Sequence, residues 1–454
     1  MHAPTNRAVR RAWRHIMQQK FTLCSLPVFA FLAFFLALTL DAAGAGAAIF
    51  LAVCLAVFAG LAFLALFYGG GEFESKIFIP VLVAVYVLLL LRLLCFDKQT
   101  GDYVSFLKPW TQYFRDSGGF AGLGESMGNY NIPYLSFLAL FSYIPLSELY
   151  LIKLLSVGFD LLLAVSTAKI VLLCTGSRTR YLLSFAVTLL LPTVLLNGAY
   201  WGQCDSIYGG LAVLSLYFVL SDRPWLSMAA LALSFSFKLQ AIFIFPVFLV
   251  FLFTKKLKLY HLPLFPAVYF LAVSPAILAG RPVLDTLLLY VDQGSTVGSA
   301  LNYNSPSVFS LFYNIADAER AASIGIVCAF LFCALMFVLL FLLRGRLGSR
   351  ALLLSAFIFV LAVPLLLPHM HERYFFMADV LALAVAFVCP RAAVFPPLCA
   401  FASLLGYHAY LQGRFFLLMH WGFFALAIVL ILAILLLLSD GLEKSTVQKP
   451  TNLI

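Results

Sequence analysis

The chain has 454 residues, of which 64% are hydrophobic and 11% charged. A soluble globular domain carries roughly 45–50% apolar and about 25% charged residues, so this chain cannot cover a water-facing surface and a soluble enzyme is excluded. The net charge of +10 does not indicate nucleic acid, because the basic residues sit in short loops between apolar runs, where they report orientation in a bilayer. An aromatic content of 16%, mostly Phe, fits lipid-facing helices better than barrel strands, which alternate polar and apolar.

In chain order, the basic N-terminus before Phe21 looks like the start of a signal peptide. The run after it reaches Leu40 without a clear cleavage site, so it reads as an uncleaved first span. Further apolar runs lie at 47–68, 77–96, 148–174, 182–199, 203–220, 226–237, 239–254 and 263–280. The last ones fall at 321–343, 351–368, 374–390, 394–411 and 415–438. The expectation is an all-α polytopic membrane protein of about fourteen spans. With the N-terminus in the cytoplasm and alternating sides, the inner face receives most basic residues, among them Arg7, Arg10, Arg11, Arg14, Lys76, Arg178, Arg180, Lys255, Lys256, Arg344 and Arg350. Acidic residues such as Asp97, Asp102, Asp116, Glu125, Asp205 and Glu372 fall outside, a separation that a wrong span count would scramble.

Two outer segments, 97–147 and 281–320, are too long for turns, and long structured loops are usually functional. The first contains FLKPWTQYF and YLSFLALF, too short to span and suited to helices on the membrane surface. The tail after Ser439 is expected to be disordered. Most of the nine cysteines lie inside apolar runs, without metal-ligand or disulfide spacing.

The remaining polar clusters are TGDYVSFLKPW (100–110), GNYNIPYL (128–135), YWGQCD (200–205), FKLQ (237–240), LNYNSPS (301–307) and PHMHERYFF (368–376). All land on the outer face in this topology, which points to a site there. Asp102, beside apolar helices, suits a general base for a hydroxyl nucleophile; the plainer reading is an N-cap for the next helix. His369, His371, Glu372 and Arg373 form the densest ionisable group, in which two imidazoles and a guanidinium can hold a phosphate. Interfacial anchoring is the alternative, and H-x-H-E lacks the helical zinc spacing. Trp201, Gln203 and Asp205 suit a sugar, by indole stacking and by pairing with hydroxyls, although this stretch also reads as an aromatic-belt turn. Lys238 lies between apolar runs, where an unpaired ammonium is costly; it snorkels or pairs with a lipid phosphate. Lys153 is a second such candidate. Asn302-Tyr303-Asn304 is weak alone, since Asn-rich turns are common. Asp160 and Asp379, inside helices, read as ties between helices.

Together these residues resemble the GT-C class of membrane glycosyltransferases, which use polyprenyl-phosphate sugars. The nearest likeness is to bacterial proteins related to the second mannosyltransferase of glycosylphosphatidylinositol synthesis. The carrying pieces are Gly101-Asp102-Tyr103 with Pro109-Trp110, Asn129-Tyr130-Asn131-Ile132-Pro133-Tyr134, Trp201-Gly202-Gln203-Cys204-Asp205, Lys238-Leu239-Gln240, Asn302-Tyr303-Asn304 and His371-Glu372-Arg373. The likeness covers about 77–390, implying a catalytic core there, an accessory region at 1–76 and C-terminal spans at 391–454. It implies Asp102 as the base. It places His371, Arg373, Lys238 and His369 at the donor phosphate, and Trp201, Gln203, Asp205, Gln240, Tyr130, Asn131, Asn302, Asn304 and Glu372 at the sugar or acceptor. Many members carry two acidic residues in the first outer loop. Where those members have D-x-D or an equivalent, this chain has Gly101-Asp102-Tyr103, so the implied chemistry is metal-free, with a divalent metal as the alternative. The implied partners are a polyprenyl-phosphate sugar, a glycan or lipid-linked acceptor and membrane lipids.

The expected reaction is a single displacement that inverts the anomeric carbon, with cations lowering the barrier at the leaving phosphate. A flippase would instead place polar residues through the midplane, where they are sparse here. A ligase or polymerase for diphosphate-linked glycans would favour an Arg-rich outer loop, whereas 97–147 holds Lys98, Lys108 and Arg115.

Overall fold

A computed structural model describes residues 6–442 apart from Glu72, Asn129, 296–297 and 313–314. Asn129, part of one resemblance-bearing motif, and most of the tail expected to be disordered thus lie outside the described residues. Ser439 itself still belongs to the last helix, His420–Leu442.

Regular structure among the described residues is almost entirely helical. Composition accounts for this, because a helix satisfies its own backbone polar groups in lipid. The first spans are α1 (Asn6–Ala37), α2 (Ala45–Gly70) and α3 (Ser75–Leu93). The first long loop then forms a π-helical turn, Tyr103–Leu107, followed by α4 (Lys108–Asp116) and α5 (Ile132–Phe141). FLKPWTQYF and YLSFLALF therefore become short helices. Pro109 follows directly on the π-helical turn, at the point where Lys108 N–H closes that turn on Tyr103 O. Trp110, Thr111 and Phe114 form its buried face. The long helix α6 (Glu148–Thr175) stops at Gly176, whose φ of 64° is a left-handed conformation that glycine adopts without a Cβ penalty.

Among the described residues nine helices are long and apolar enough to cross a membrane. Arg178–Leu190 with Pro192–Trp201, bent by 51°, makes a tenth candidate if the pair is one span. The apolar runs at 203–220, 226–237, 239–254 and 374–390 form shorter helical stretches: Asp205–Leu220, Pro224–Phe237, Leu239–Phe253 and Phe376–Val388. At 1.5 Å per residue these fall short of a hydrocarbon core about 30 Å thick. Length alone therefore supports fewer crossings than the apolar runs.

The chain divides into two compact units, Met1–Ala241 with Tyr260–Gly298, and Ile242–Leu259 with Ser299–Ile454. In the first, α6 packs against α2, Arg178–Leu190 and Asp205–Leu220, and the last of these packs against Pro224–Phe237. Helices α1 and α2 are integral to this unit, and α1 also contacts α3. In the second, Ser349–Leu366 is the central helix, flanked by Ala318–Leu342, Phe376–Val388, His420–Leu442 and Phe245–Phe253. A small sheet in this unit pairs strand β1 (Asn302–Tyr303) in parallel with β2 (Met370–His371).

Candidate functional site

The first unit builds its polar centre around Asp102. The residue has helical dihedrals and precedes the π-helical turn, yet its side chain caps no helical N–H. The residue is 8% exposed. Its Oδ2 accepts from Trp201 Nε1 at 3.0 Å and from Gln203 Nε2. The N-cap alternative is therefore not what this carboxylate does.

Trp201 and Gln203 reach Asp102 because of how the chain winds before them. Leu196–Trp201 is a second π-helical turn, closed by Gly202 at φ 79°. The reversal brings Gln203 N–H onto Asn197 O at 2.9 Å. Ser156 Oγ on α6 donates to Gln203 O, and Thr100 Oγ1 donates to Trp201 O. The Gln203 amide is oriented from its other end, where Tyr130 O–H donates to Oε1 at 3.1 Å. That contact turns the amide N–H toward Asp102, so the phenol, the amide and the carboxylate form one directed chain. Tyr130 is set edge-on to Trp110 at 5.5 Å. Gly128 (φ 68°) lies so close to Trp110 that a Cβ there would come within 2.7 Å of the indole.

Trp201 is fully buried. Expected to stack on a sugar, it has no open face for that and instead positions the carboxylate. Asn131, expected at the acceptor, caps α5 by accepting from Ile132 N–H, and its amide reaches Tyr269 O–H. Gln240 lies in the 3-10 run Leu239–Ile244, and its Oε1 is buried with no hydrogen-bond partner among the described residues.

Lys238 marks the break between Pro224–Phe237 and that 3-10 run, with extended dihedrals. Its ammonium forms a buried ion pair with Asp205, and Asn197 Nδ2 donates to the other carboxylate oxygen at 2.6 Å. The residue expected at the donor phosphate and the one expected at sugar hydroxyls are thus each other's partners. One helical position on, Ser206 donates to Asp160, which also pairs with the fully buried Arg92 at 3.0 Å. Asp160 does tie helices together. Lys153 donates to the backbone oxygens of Cys95 and Lys98, so it covers carbonyls just beyond α3. Arg92 was not singled out from the sequence, although a guanidinium inside an apolar run signals a buried partner.

The second unit carries the other ionisable group. Tyr303 and His371 are register partners, and their rings stack at 4.6 Å with planes 8° apart. Arg373 Nη1 donates to Glu372 Oε1 at 2.6 Å, while His371 Nδ1 lies 3.7 Å from Oε2. Burial alone would raise the Glu372 carboxyl, but Arg373 and His371 outweigh it and hold the group below the ordinary value. Glu372, expected at a sugar, is thus the partner of Arg373, with the His371 ring beside its other oxygen. His369 sits at φ 60°, with its N–H on Leu301 O and its Nδ1 2.8 Å from Ala300 O. Asn302 is spent on the turn: its amide donates to Ser305 O and its carbonyl accepts from Ser305 N–H. Asn304 occupies the left-handed region at φ 56°. A Cβ on Gly406 would come within 2.5 Å of Asn304 O and 2.9 Å of Glu372 Cβ, so the helix Phe395–Gln412 supports this group through a glycine. Asp379 accepts from Ser403 of that helix.

Among the described residues no group of three or more His, Cys, Asp and Glu is placed to hold a metal ion. No protein-family model matches the chain, and no curated protein matches it. The chemistry must be read from the residues. Asp102 has an indole and an amide fixed on one oxygen of a buried carboxylate, an arrangement that sets the direction of that side chain.

Proposed function

We propose that the protein is an inverting glycosyltransferase that moves a hexose, mannose or glucose, from a polyprenyl-phosphate donor to a lipid-linked or cell-surface glycan. In this reading Asp102 takes the proton of the acceptor hydroxyl, whose oxygen forms the new bond to the anomeric carbon. The bond from that carbon to the phosphate oxygen breaks on the opposite face, and polyprenyl phosphate leaves. By the resemblance, Arg373 and the His369 and His371 rings are the groups assigned to the departing phosphate, where charge develops. Lys238 acts at one remove, as the counter-ion of Asp205 beside Asn197.

The observation that carries the reading is the directed set Tyr130–Gln203–Asp102, with Trp201 on the same carboxylate oxygen. The reading includes about fourteen crossings, counting the four shorter helical stretches. It puts both termini in the cytoplasm and the reaction on the opposite face of a bacterial plasma membrane. The test is transfer from a panel of synthetic polyprenyl-phosphate sugars by the wild type and by Asp102→Asn. Transfer by the wild type that disappears in the variant supports the reading, and equal transfer by both removes Asp102 as base.

A further inference from the structure

Away from Asp102, but joined to it through the next residue, the first unit holds an open cavity of about 450 Å³ lined by Arg115, Glu148 and the segment 142–147 with Tyr143. Tyr103 O–H donates to Glu148 Oε1 at 3.0 Å, so the residue after Asp102 ends on the cavity wall. Burial and the neighbouring Glu148 push the Tyr103 phenol up, which keeps it a donor to that carboxylate.

The wall combines two features. Arg115 pairs with Glu148 at 3.3 Å, and both side chains remain part-exposed, at 33% and 14%. The site is therefore locally neutral and offers donors and acceptors side by side, which suits adjacent hydroxyls better than an anion. Beside them Tyr143 is 58% exposed. Its O–H is already spent, donating to Gly118 O and accepting from Phe120 N–H. What Tyr143 can offer a ligand is its ring. The ring lies against Gly119, where φ is 72° and a Cβ would come within 2.1 Å of the phenol, and it stacks on Phe120 at 6.0 Å. A rigid aromatic face beside a matched acid–guanidinium pair is a surface for a neutral, hydroxyl-rich ring. A lipid tail would find too many polar groups, and a phosphate would find Arg115 already neutralised.

We propose that this cavity is a carbohydrate subsite that binds a sugar ring of the acceptor on Tyr143, with its hydroxyls on Glu148 and Arg115. The assignment to the acceptor rests on the transferase reading, while the carbohydrate affinity does not. The first measurement is saturation-transfer NMR on the full-length protein in detergent, with α-mannobiose, maltose and inorganic phosphate as probes. Binding of a disaccharide, weakened about tenfold or more in Tyr143→Ala and Glu148→Gln and retained in Tyr143→Phe, supports the subsite. No disaccharide binding by the wild type, an unchanged Kd in both weakening variants, or displacement by phosphate overturns it. Melting temperatures near that of the wild type show that the variants fold, and Tyr143→Leu, which keeps bulk over Gly119, replaces Tyr143→Ala if that variant does not.

The second measurement is transfer kinetics. If the wild type transfers sugar, a raised acceptor KM in the same variants with the donor KM held supports the acceptor assignment, and an unchanged acceptor KM overturns it. If the wild type transfers nothing from any donor but still binds disaccharide in a Tyr143-dependent way, the transferase reading fails and the carbohydrate subsite stands.

Discussion

Asp102 and Asp205 are carboxylates of the same unit, 8% and 1% exposed, and they differ in what faces them. Asp205 meets the Lys238 ammonium and an Asn197 amide. Asp102 accepts from an indole N–H and a glutamine amide. A buried ion pair is self-contained, and breaking it leaves an uncompensated charge. The Asp102 contacts on Oδ2 instead orient the carboxylate with an indole and an amide. In the proposed reading the contrast separates a group that holds the fold from the one that reacts, although both are tied to the short YWGQCD segment.

The sharpest way to break the contrast is to neutralise each carboxylate in turn. Asp102→Asn is expected to lower transfer by about 10²–10⁴-fold while its melting temperature in detergent stays near that of the wild type. Asp205→Asn is expected to do the reverse and cost about 3–5 kcal/mol of stability, because the Lys238 ammonium stays buried without its counter-ion. Adding Lys238→Met to that variant should recover much of the loss, and a double variant as unstable as the single one would show that the pair is not what holds the break at Lys238. Removing one neutral donor is a finer cut. Trp201→Phe deletes the N–H on Asp102 and is expected to reduce kcat by roughly 10–100-fold, the equivalent of a hydrogen bond to a charged group, with substrate KM little changed. If KM rises instead, Trp201 contacts substrate.

The smallest expected effect concerns the second unit. The Glu372 carboxyl is held below 4.5 in the folded chain, so its stabilising contribution is present above that pH and is lost as pH falls through the depressed value. Thermal melts across acidic pH should show wild type more stable than Glu372→Gln near neutrality, with the gap closing below about pH 4.5. A gap that does not vary with pH would mean that the carboxylate is not paired with Arg373 and His371 in solution.

Residue chemistry makes much of this visible without the fold. A lone Asp after Gly101, a polar YWGQCD between apolar runs and an ammonium at 238 each stand out because such groups are expensive beside lipid. The pairings do not stand out. Nothing in the local sequence distinguishes an Asp205 that meets sugar from one that meets Lys238, because the two are brought together by a helix break 33 residues later. Trp201 reads as a stacking platform because stacking is what exposed indoles do, and its burial depends on the turn at Gly202. The Asn302 turn is legible as a turn, and its side chain is used up there. The apolar runs from 203 to 254 show where the chain turns but not how short the resulting helices are.

The two π-helical turns, Tyr103–Leu107 and Leu196–Trp201, carry a consequence for how such a centre can arise or be lost. Each winds one residue more into a turn than an α-helix does, and such insertions recur at functional positions. Excising a single residue from Leu196–Trp201 would restore regular winding and rotate the downstream residues by about 100°, carrying the indole N–H away from Asp102. The alignment of the two segments is therefore set by residue count as much as by residue type. A chain with every polar side chain in place but one position fewer at that bend would keep the scaffold and lose the Trp201 contact to Asp102 on which the proposed reaction relies.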